Sequence, residues 1–244
     1  MREAVERIKA KGGKPFHTDS TTLYGGMRAN GVDYLNLAFR NGFSFDCVGA
    51  PVVISDGIQS QDVVEVEVGL RHFQKIKYCS AAHYADGLLV ISHFTGHMAT
   101  GFGATIKNLG MGLASKSQKQ RMHGLVKPEH TDESLCTGCG DCVEVCAFGA
   151  ARLEGGKSRF DLKQCTGCAE CIAICPEGAL RILWDESPRN LQEKLVETAY
   201  AVLKAKKGRA AFFNFLLDIT PDCDCFARSD TPIVPNIGNL GSTD

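Results

Sequence analysis

The stretch CTGCGDCVEVCAFGAARL (136–153) contains four cysteines with the spacing C-x2-C-x2-C-x3-C. A second stretch, CTGCAECIAICPEGALRI (165–182), repeats this spacing at an offset of 29 residues. The connection between them, EGGKSRFDLKQ (154–164), is typical of a hairpin with Gly155 and Gly156 at its turn. We therefore predict that each copy forms a cysteine loop, a short helix and a strand, and that a pseudo-twofold axis relates the copies.

The number and the crowding of the cysteines indicate a metal centre. Of the 12 cysteines in the chain, eight lie between Cys136 and Cys175. Such crowding favours metal ligation over disulfides, because ligands must converge on one ion or cluster and disulfides need an oxidising compartment. Zinc usually takes two separated C-x2-C pairs, so two runs of four closely spaced thiols fit iron–sulfur clusters better. Two single cysteines in apolar surroundings, Cys47 and Cys79, are predicted to be core residues.

Composition excludes several classes of partner. The chain has 244 residues, 44% hydrophobic and 23% charged, with a formal net charge of −1. This balance creates no global field that would attract nucleic acid or an anionic membrane. No apolar run approaches the roughly 20 residues needed to span a bilayer, and the charged N-terminal segment lacks the pattern of a secretory signal. We expect a cytoplasmic protein without nucleic-acid or membrane partners, and a homo-oligomer is compatible with the sequence.

The cysteine repeat resembles that of bacterial two-cluster ferredoxins, over about residues 130–184. In those proteins three cysteines of one copy bind a [4Fe–4S] cluster, and the fourth crosses to the other cluster. The resemblance implies two [4Fe–4S] clusters in this chain. The first would be held by Cys136, Cys139, Cys142 and Cys175. The second would be held by Cys165, Cys168, Cys171 and Cys146.

The rest of the chain has an α/β pattern. Short apolar or alternating runs predict strands at 50–57, 62–69, 86–94 and 209–219, those at 50–57 and 86–94 being buried. Helical spacing and capping residues predict helices at 27–42 and 187–208. Strands that alternate with helices favour a largely parallel sheet with flanking helices. We therefore predict an α/β domain (1–127 and 187–244) interrupted by a small α+β two-cluster ferredoxin-like domain (128–186).

The helix at 187–208 has the clearest boundaries. Ser187 is predicted to cap it and Pro188 to occupy its first turn, while Gly208 follows its last turn. One apolar face is predicted to consist of Leu191, Leu195, Ala199 and Val202.

At the scale of the whole chain, the sequence resembles the uncharacterised iron–sulfur centre proteins (domain of unknown function 362). The matching stretches are HTDSTTLYGG (17–26), GAPVVISDG (49–57), SHFTGHMATGFGATIKNLGMG (92–112), the cysteine repeat, ITPDCDC (219–225) and PIVPNIGNLGSTD (232–244). Members of this family occur largely in anaerobic or thermophilic prokaryotes. The resemblance therefore implies an iron–sulfur protein from an anaerobe, without implying a substrate.

His93, His97 and Lys107 are candidate catalytic residues, because they lie in a glycine-rich segment after a predicted strand. In open α/β sheets, ligands bind beyond the carboxyl ends of the strands. A helix would place His93 and His97 on one face for a metal, but the glycines favour a loop. Neither a G-x-G-x-x-G nor a Walker pattern is present, so nucleotide binding lacks its usual mechanism. The alternative, in which the histidines only bond to the loop backbone, remains open.

Cys223 and Cys225 form a second candidate site. One residue separates the two thiols, which can bind a metal, accept electrons or have no role. The neighbouring carboxylates of Asp222 and Asp224 are expected to raise the thiol pKa values and to oppose nucleophilicity. The sequence therefore favours a metal or redox site over a nucleophile.

Three functions are compatible with these motifs. The leading hypothesis is an electron-transfer protein or a component of an oxidoreductase, with two clusters that pass electrons between a redox partner protein or small-molecule substrate and the α/β domain. The destination would be the His93, His97 and Lys107 segment, together with Cys223 and Cys225. The alternatives are a non-redox enzyme of the lyase or isomerase type with structural clusters, and a module that delivers clusters or metal.

Overall fold

The computed structural model describes residues 1–23, 26–124, 128–130, 132–165, 169–180, 186–225 and 231–243. The α-helices in these ranges are α1 (Arg2–Ala10), α2 (Gly31–Arg40), α3 (Phe45–Val48), α4 (Ser80–Tyr84), α5 (Thr105–Lys107), α6 (Lys116–His123), α7 (Asp141–Glu144), α8 (Glu170–Ile174) and α9 (Pro188–Lys206). The strands are β1 (His17–Asp19), β2 (Val52–Ile54), β3 (Val63–Glu67), β4 (Lys75–Cys79), β5 (Leu88–His93), β6 (Thr95–His97), β7 (Gly101–Gly103), β8 (Ala151–Glu154), β9 (Lys157–Phe160), β10 (Ala210–Leu216) and β11 (Gly238–Thr243). No helix in these ranges has the length and apolar character of a membrane-spanning segment.

The protein is a mixed α/β structure with several small sheets. The largest sheet in the described residues has three strands in the order β11-β10-β5. β10 pairs in parallel with β5, and β1 pairs in parallel with β2. The other described pairings, β10 with β11, β3 with β4, β6 with β7 and β8 with β9, are antiparallel. The prediction of a largely parallel sheet is therefore wrong for the described residues. Most of their strands pair with the next strand in sequence through a short connection, which makes the pairing antiparallel.

All four predicted strands and both predicted helices are present, with shorter bounds. The strand predicted at 50–57 covers only Val52–Ile54 and is half-exposed, so the expectation that it is buried is wrong. The helix predicted at 27–42 begins at Gly31, because the side chain of Asn30 accepts a hydrogen bond from the Asp33 N–H and caps it.

Helix α9 supplies one wall of the main core. The Ser187 side chain caps it by accepting from the Asn190 N–H, and Pro188 is in its first turn, as predicted. The predicted apolar face is buried in a cluster with residues of β4, α4 and α6. A π-helical turn (Asn108–Gly112) packs closely against α9. Gly110 makes this possible, because a Cβ at this position would lie 2.4 Å from the Leu195 carbonyl oxygen.

Cys79 is buried in this core, as predicted, whereas Cys47 is exposed, and that prediction is wrong. Cys47 lies in the four-residue helix α3, whose neighbouring Val48 turns inward against Val5 and Ala50. Adjacent residues in a helix point to different faces, so the burial of Val48 leaves Cys47 outside.

The cysteine repeat folds in a similar way in both copies. Gly140 and Ala169, which are equivalent in the repeat, both have left-handed backbone angles directly before the short helices α7 and α8. The predicted hairpin is formed by β8 and β9, with Gly155 and Gly156 at the turn, both at positive φ. In the second copy, Leu180 forms an antiparallel bridge with His130, while 181–182 lie outside the described residues.

Candidate functional site

The parallel pairing of β5 and β10 positions the candidate site. Parallel strands have their carboxyl ends at the same edge of a sheet, so the segments that follow β5 and β10 are brought together. The segment after β5 continues into β6, and the segment after β10 continues to Cys223 and Cys225. The Gly96 N–H in β6 donates to the Thr220 carbonyl oxygen at 2.8 Å, which joins the two segments. The site thus lies beyond the carboxyl ends of two parallel strands, where open α/β sheets bind ligands.

Gly96 makes this approach possible. A Cβ at position 96 would lie 2.0 Å from the Pro221 carbonyl oxygen and 2.7 Å from the Pro221 carbonyl carbon. Real Cβ atoms do not approach backbone atoms this closely, so any side chain here would push the 220–223 segment away. The sequence marks this segment as glycine-rich, but it does not show which glycine is required.

Lys107 lies between the two thiols. Its Nζ donates to Cys223 Sγ at 2.6 Å and is 3.7 Å from Cys225 Sγ. Hydrogen bonding from the Cys225 thiol and the nearby Lys107 ammonium hold the pKa of Cys223 well below its usual range, although burial opposes them. The pKa of Cys225 is raised, because its proton is held in the bond to Cys223 and because it is partly buried. The expectation that the neighbouring carboxylates raise the thiol pKa values is therefore wrong for Cys223, since it did not include a lysine 116 residues away in sequence. For Cys225 the expected direction is right, but the causes are Cys223 and burial rather than the carboxylates.

His97 is held in its neutral form. Its Nδ1 accepts hydrogen bonds from the backbone N–H groups of Ala99 (3.1 Å) and Thr100 (3.2 Å). An acceptor at Nδ1 places the ring proton on Nε2. Burial and the nearby Lys107 charge lower the pKa of His97, which favours the neutral ring.

His93 has a different role from His97. Its Nδ1 bonds to the Asp224 carboxylate at 2.7 Å, and its Nε2 bonds to the Leu217 carbonyl oxygen at 2.6 Å. Burial alone would lower the pKa of His93, but these two acceptors outweigh burial and raise it. With both ring nitrogens donating, His93 fastens the segment after β10. His93 and His97 lie in strands β5 and β6 rather than in the loop that the glycines predicted, and they do not share a helical face.

Three residues of the strand-end site could together hold a metal ion. The ligand atoms of His97, Cys223 and Cys225 lie within 4.8 Å of one another. The structure thus places Cys223 and Cys225 beside His97 and Lys107, with His93 one contact away through Asp224.

Two further residues border the site, and the sequence did not single them out. Arg28 donates to the Cys225 carbonyl oxygen at 3.4 Å. Burial and the neighbouring His97 and Lys107 lower the pKa of His123 to about 4. Both residues come from distant parts of the chain, and no local motif marks them.

The cysteines of the repeat surround two cavities. The first is open to solvent and is lined by Cys136, Cys139, Cys142 and Cys175. These are the four residues that the ferredoxin resemblance groups as one ligand set. Gly138 shapes this cavity with a φ of +73°, and a Cβ there would lie 2.4 Å from the Gly156 carbonyl oxygen.

The second cavity also combines cysteines of both copies. It is lined by Cys146 of the first copy with Cys165 and Cys171 of the second. The fourth residue of this predicted set, Cys168, lies outside the described residues. The Ala150 N–H donates to Cys146 Sγ at 3.2 Å. Phe148 and Phe160 add apolar walls to this cavity.

These features define a mixed α/β protein with a cysteine-lined pair of cavities and a thiol–lysine site at the ends of parallel strands. The chain belongs to the family described as Domain of unknown function (DUF362), whose model matches residues 1–244. A search of curated proteins gives no match.

Proposed function

We propose that this protein binds two [4Fe–4S] clusters and transfers electrons between an external partner and the strand-end site. The main support is the first cavity, where three cysteines of one copy meet Cys175 of the other. This exchange of the fourth cysteine is the pattern of two-cluster ferredoxins. Each bound cluster would carry one electron at a time.

The donor sets fit iron–sulfur clusters. The cysteines that line the cavities are free of disulfides in the described chain. The Ala150 N–H that points to Cys146 Sγ, and the Ser158 Oγ at 3.7 Å from Cys136 Sγ, are contacts of the kind that tune cluster potentials.

Helix α6 connects the second cavity with the strand-end site. It packs against α8, which carries Cys171 and Glu170 of the cavity lining. At the C-terminal end of α6, burial and the nearby Lys107 charge lower the pKa of His123, so α6 also borders the strand-end site. The ion pair between Lys77 and Glu170 (2.6 Å) fixes α8 to β4. Helix α6 thus contacts both α8, which lines the cavity, and the surroundings of the strand-end site.

Anaerobic purification followed by iron and sulfide analysis tests cluster binding. We expect about eight irons and eight sulfides per chain, because two [4Fe–4S] clusters contain this number. Cys175→Ser is expected to remove about half of the iron, because it deletes one ligand of the first set. The matched control is Cys47→Ser, since Cys47 is exposed and outside both cavities. Fewer than about six irons in the unmodified chain, or zinc in their place, would contradict the proposal.

Electron transfer needs a separate test, because a non-redox enzyme can contain structural clusters. We expect a low-potential donor to reduce the isolated protein by about two electrons per chain, and an acceptor to reoxidise it without loss of iron. Clusters that cannot be reduced, or that are destroyed on reduction, would leave the eight thiols with a structural role and exclude electron transfer.

A further inference from the structure

The segment after β10 contains a thiol pair that is close enough to form a bond. Cys223 and Cys225 are both half-buried, and their sulfur atoms lie within 4.8 Å of each other. The Cys225 N–H donates to Cys223 Sγ at 3.4 Å, so the turn folds back on the first sulfur. To form a disulfide, the sulfurs would have to approach from at most 4.8 Å to a bond length of about 2.05 Å.

A metal ion is the competing occupant of this site, and two contacts oppose it. The Lys107 ammonium is 2.6 Å from Cys223 Sγ and 3.7 Å from Cys225 Sγ, so a positive charge already lies between the sulfurs. A metal cation there would have to displace Lys107 and would be repelled by it.

His97 is also in the wrong form for a metal ligand. Its Nδ1 lone pair is engaged by the N–H groups of Ala99 and Thr100, which leaves the proton on Nε2. Metal binding through Nε2 would move this proton to Nδ1 and break both backbone hydrogen bonds. His97, the third potential ligand, is therefore already bonded to the backbone of residues 99 and 100.

We propose that Cys223 and Cys225 form a redox-active dithiol that becomes an intramolecular disulfide by exchange with a substrate disulfide. Lys107 stabilises the negative charge on the Cys223 sulfur, and His93 positions the segment through Asp224. The substrate class is a disulfide, in a small thiol compound or on a protein surface.

The exchange balances without a further reactant. The Cys223 thiolate attacks one sulfur of the substrate disulfide, a mixed disulfide forms, and the first substrate thiolate leaves. The Cys225 sulfur then attacks Cys223 Sγ and loses its proton to solvent, and the second substrate thiolate leaves. The substrate disulfide gains two electrons, the dithiol loses two, and one proton is released.

This inference goes beyond the proposed function, because the exchange uses only the two thiols and the residues around them. Return of the disulfide to the dithiol needs two electrons, which is the number that two one-electron clusters carry together.

The test is an anaerobic redox titration of the full chain with mixtures of reduced and oxidised glutathione, followed by acid quenching, alkylation and peptide mass analysis. We expect the peptide that contains both cysteines to become about 2 Da lighter on oxidation and to lose both alkylation sites together. A parallel reaction with insulin measures reduction of a protein disulfide. Exchange with glutathione alone would indicate a small substrate, and exchange with both would indicate that protein disulfides also enter.

Two variants make the result specific. Cys225→Ser is expected to accumulate a stable glutathione adduct on Cys223, because the resolving thiol is missing. Cys47→Ser, which changes an exposed thiol outside the site, is expected to match the unmodified chain. If both thiols stay open to alkylation at every glutathione ratio, or if the unmodified chain accumulates the same adduct as Cys225→Ser, the dithiol is excluded.

A metal centre would also overturn this inference. It would appear as one equivalent of zinc that protects both thiols from alkylation and is lost in His97→Ala. The outcomes for the two proposals are separable. A chain with about eight irons and inert thiols contradicts only the dithiol, whereas a chain without iron but with cycling thiols contradicts only the clusters.

Discussion

At the residue scale, beside the hydrogen bond from the Cys225 thiol, Lys107 is the residue that lowers the pKa of Cys223. It follows a glycine-rich segment that carries little charge, and its ammonium group is the cation that contacts Cys223 directly in the described structure. A charge at 2.6 Å in a half-buried site acts strongly on the thiol equilibrium, because solvent screens it only in part.

Replacement of Lys107 should change the pH dependence of Cys223. A lowered pKa keeps Cys223 as a thiolate at pH values where an ordinary thiol is protonated, so alkylation should remain fast at about pH 6. In Lys107→Gln the pKa should rise, and alkylation at that pH should slow by about tenfold or more. Peptide mass analysis of iodoacetamide labelling measures the rate at Cys223.

Lys107→Arg is the matched control, because it keeps the positive charge. It should retain most of the fast labelling at low pH. Equal rates in the Gln variant and the unmodified chain would show that Lys107 does not stabilise the thiolate.

Gly96 is the second residue on which the site depends. In Gly96→Ala the new methyl group must displace the backbone at Pro221, which should lower the free energy of unfolding by about 1–3 kcal/mol. The same displacement should separate His97 from Cys223 and change Cys223 labelling. Urea unfolding and the labelling rate provide the measurements.

A glycine without this constraint serves as a control for Gly96. Gly241 in β11 has ordinary φ, and a Cβ there would meet its nearest neighbour at 3.5 Å, so Gly241→Ala should change stability little. If Gly96→Ala behaves like Gly241→Ala, the close approach of the two segments is not required.

At the scale of elements, α9 and α6 contrast in how sequence relates to burial. α9 has the apolar stripe of a surface helix, and that stripe packs in the core. α6 has the polar sequence KSQKQRMH and is nevertheless mostly buried. Its lysines are satisfied by oxygen acceptors, since Lys119 donates to Ser20 Oγ at 2.6 Å and to the Thr21 carbonyl. Lys116 donates to the Ala29 carbonyl.

The N-terminus of α9 offers a test of an isolated cap. Ser187→Ala removes the acceptor for the Asn190 N–H and should cost about 1 kcal/mol in the free energy of unfolding. Ser187→Asp should retain the stability, because aspartate also accepts this hydrogen bond and suits a helix N-terminus. Urea unfolding at pH 7 provides the comparison, and equal loss in both variants would contradict a capping role.

At the scale of the whole molecule, Glu186 ties three parts of the chain together. Its backbone N–H donates to the His123 carbonyl at the end of α6, and its carboxylate accepts from Lys194 and Asn190 of α9. The Lys194 ammonium lowers the pKa of the Glu186 carboxyl, so this carboxylate is charged in the native protein near neutral pH. The segment that follows the cysteine repeat is thereby fixed to helices α6 and α9.

Glu186→Gln should weaken this junction. Loss of a charged acceptor that is 15% exposed should reduce the free energy of unfolding at pH 7 by about 1–3 kcal/mol. The control is Glu3→Gln, because the Glu3–Arg7 pair on α1 is mostly exposed and should contribute less than about 0.5 kcal/mol. Urea unfolding measures both variants, and equal losses would show that the junction has no special role.

The sequence by itself determined the local features. Two such features are the hairpin at Gly155 and Gly156 and the cap at Ser187, which depend on contacts between near neighbours. These features follow from local stereochemistry, and the structure has them as predicted. The sequence also selected the segments that form the strand-end site, because polar and glycine-rich residues after a strand are typical of ligand-binding loops.

Only the tertiary structure decided which residues of those segments meet and what charge they carry. Lys107 and Cys223 are 116 residues apart, and the parallel pairing of β5 with β10 brings their segments to one edge. The local carboxylates suggested a raised thiol pKa, but the hydrogen bond from the Cys225 thiol and the contact with Lys107 lower the pKa of Cys223 instead. Electrostatic interactions depend on distance in space rather than in sequence, so the pairing of strands had to be known before the chemistry of the thiols could be.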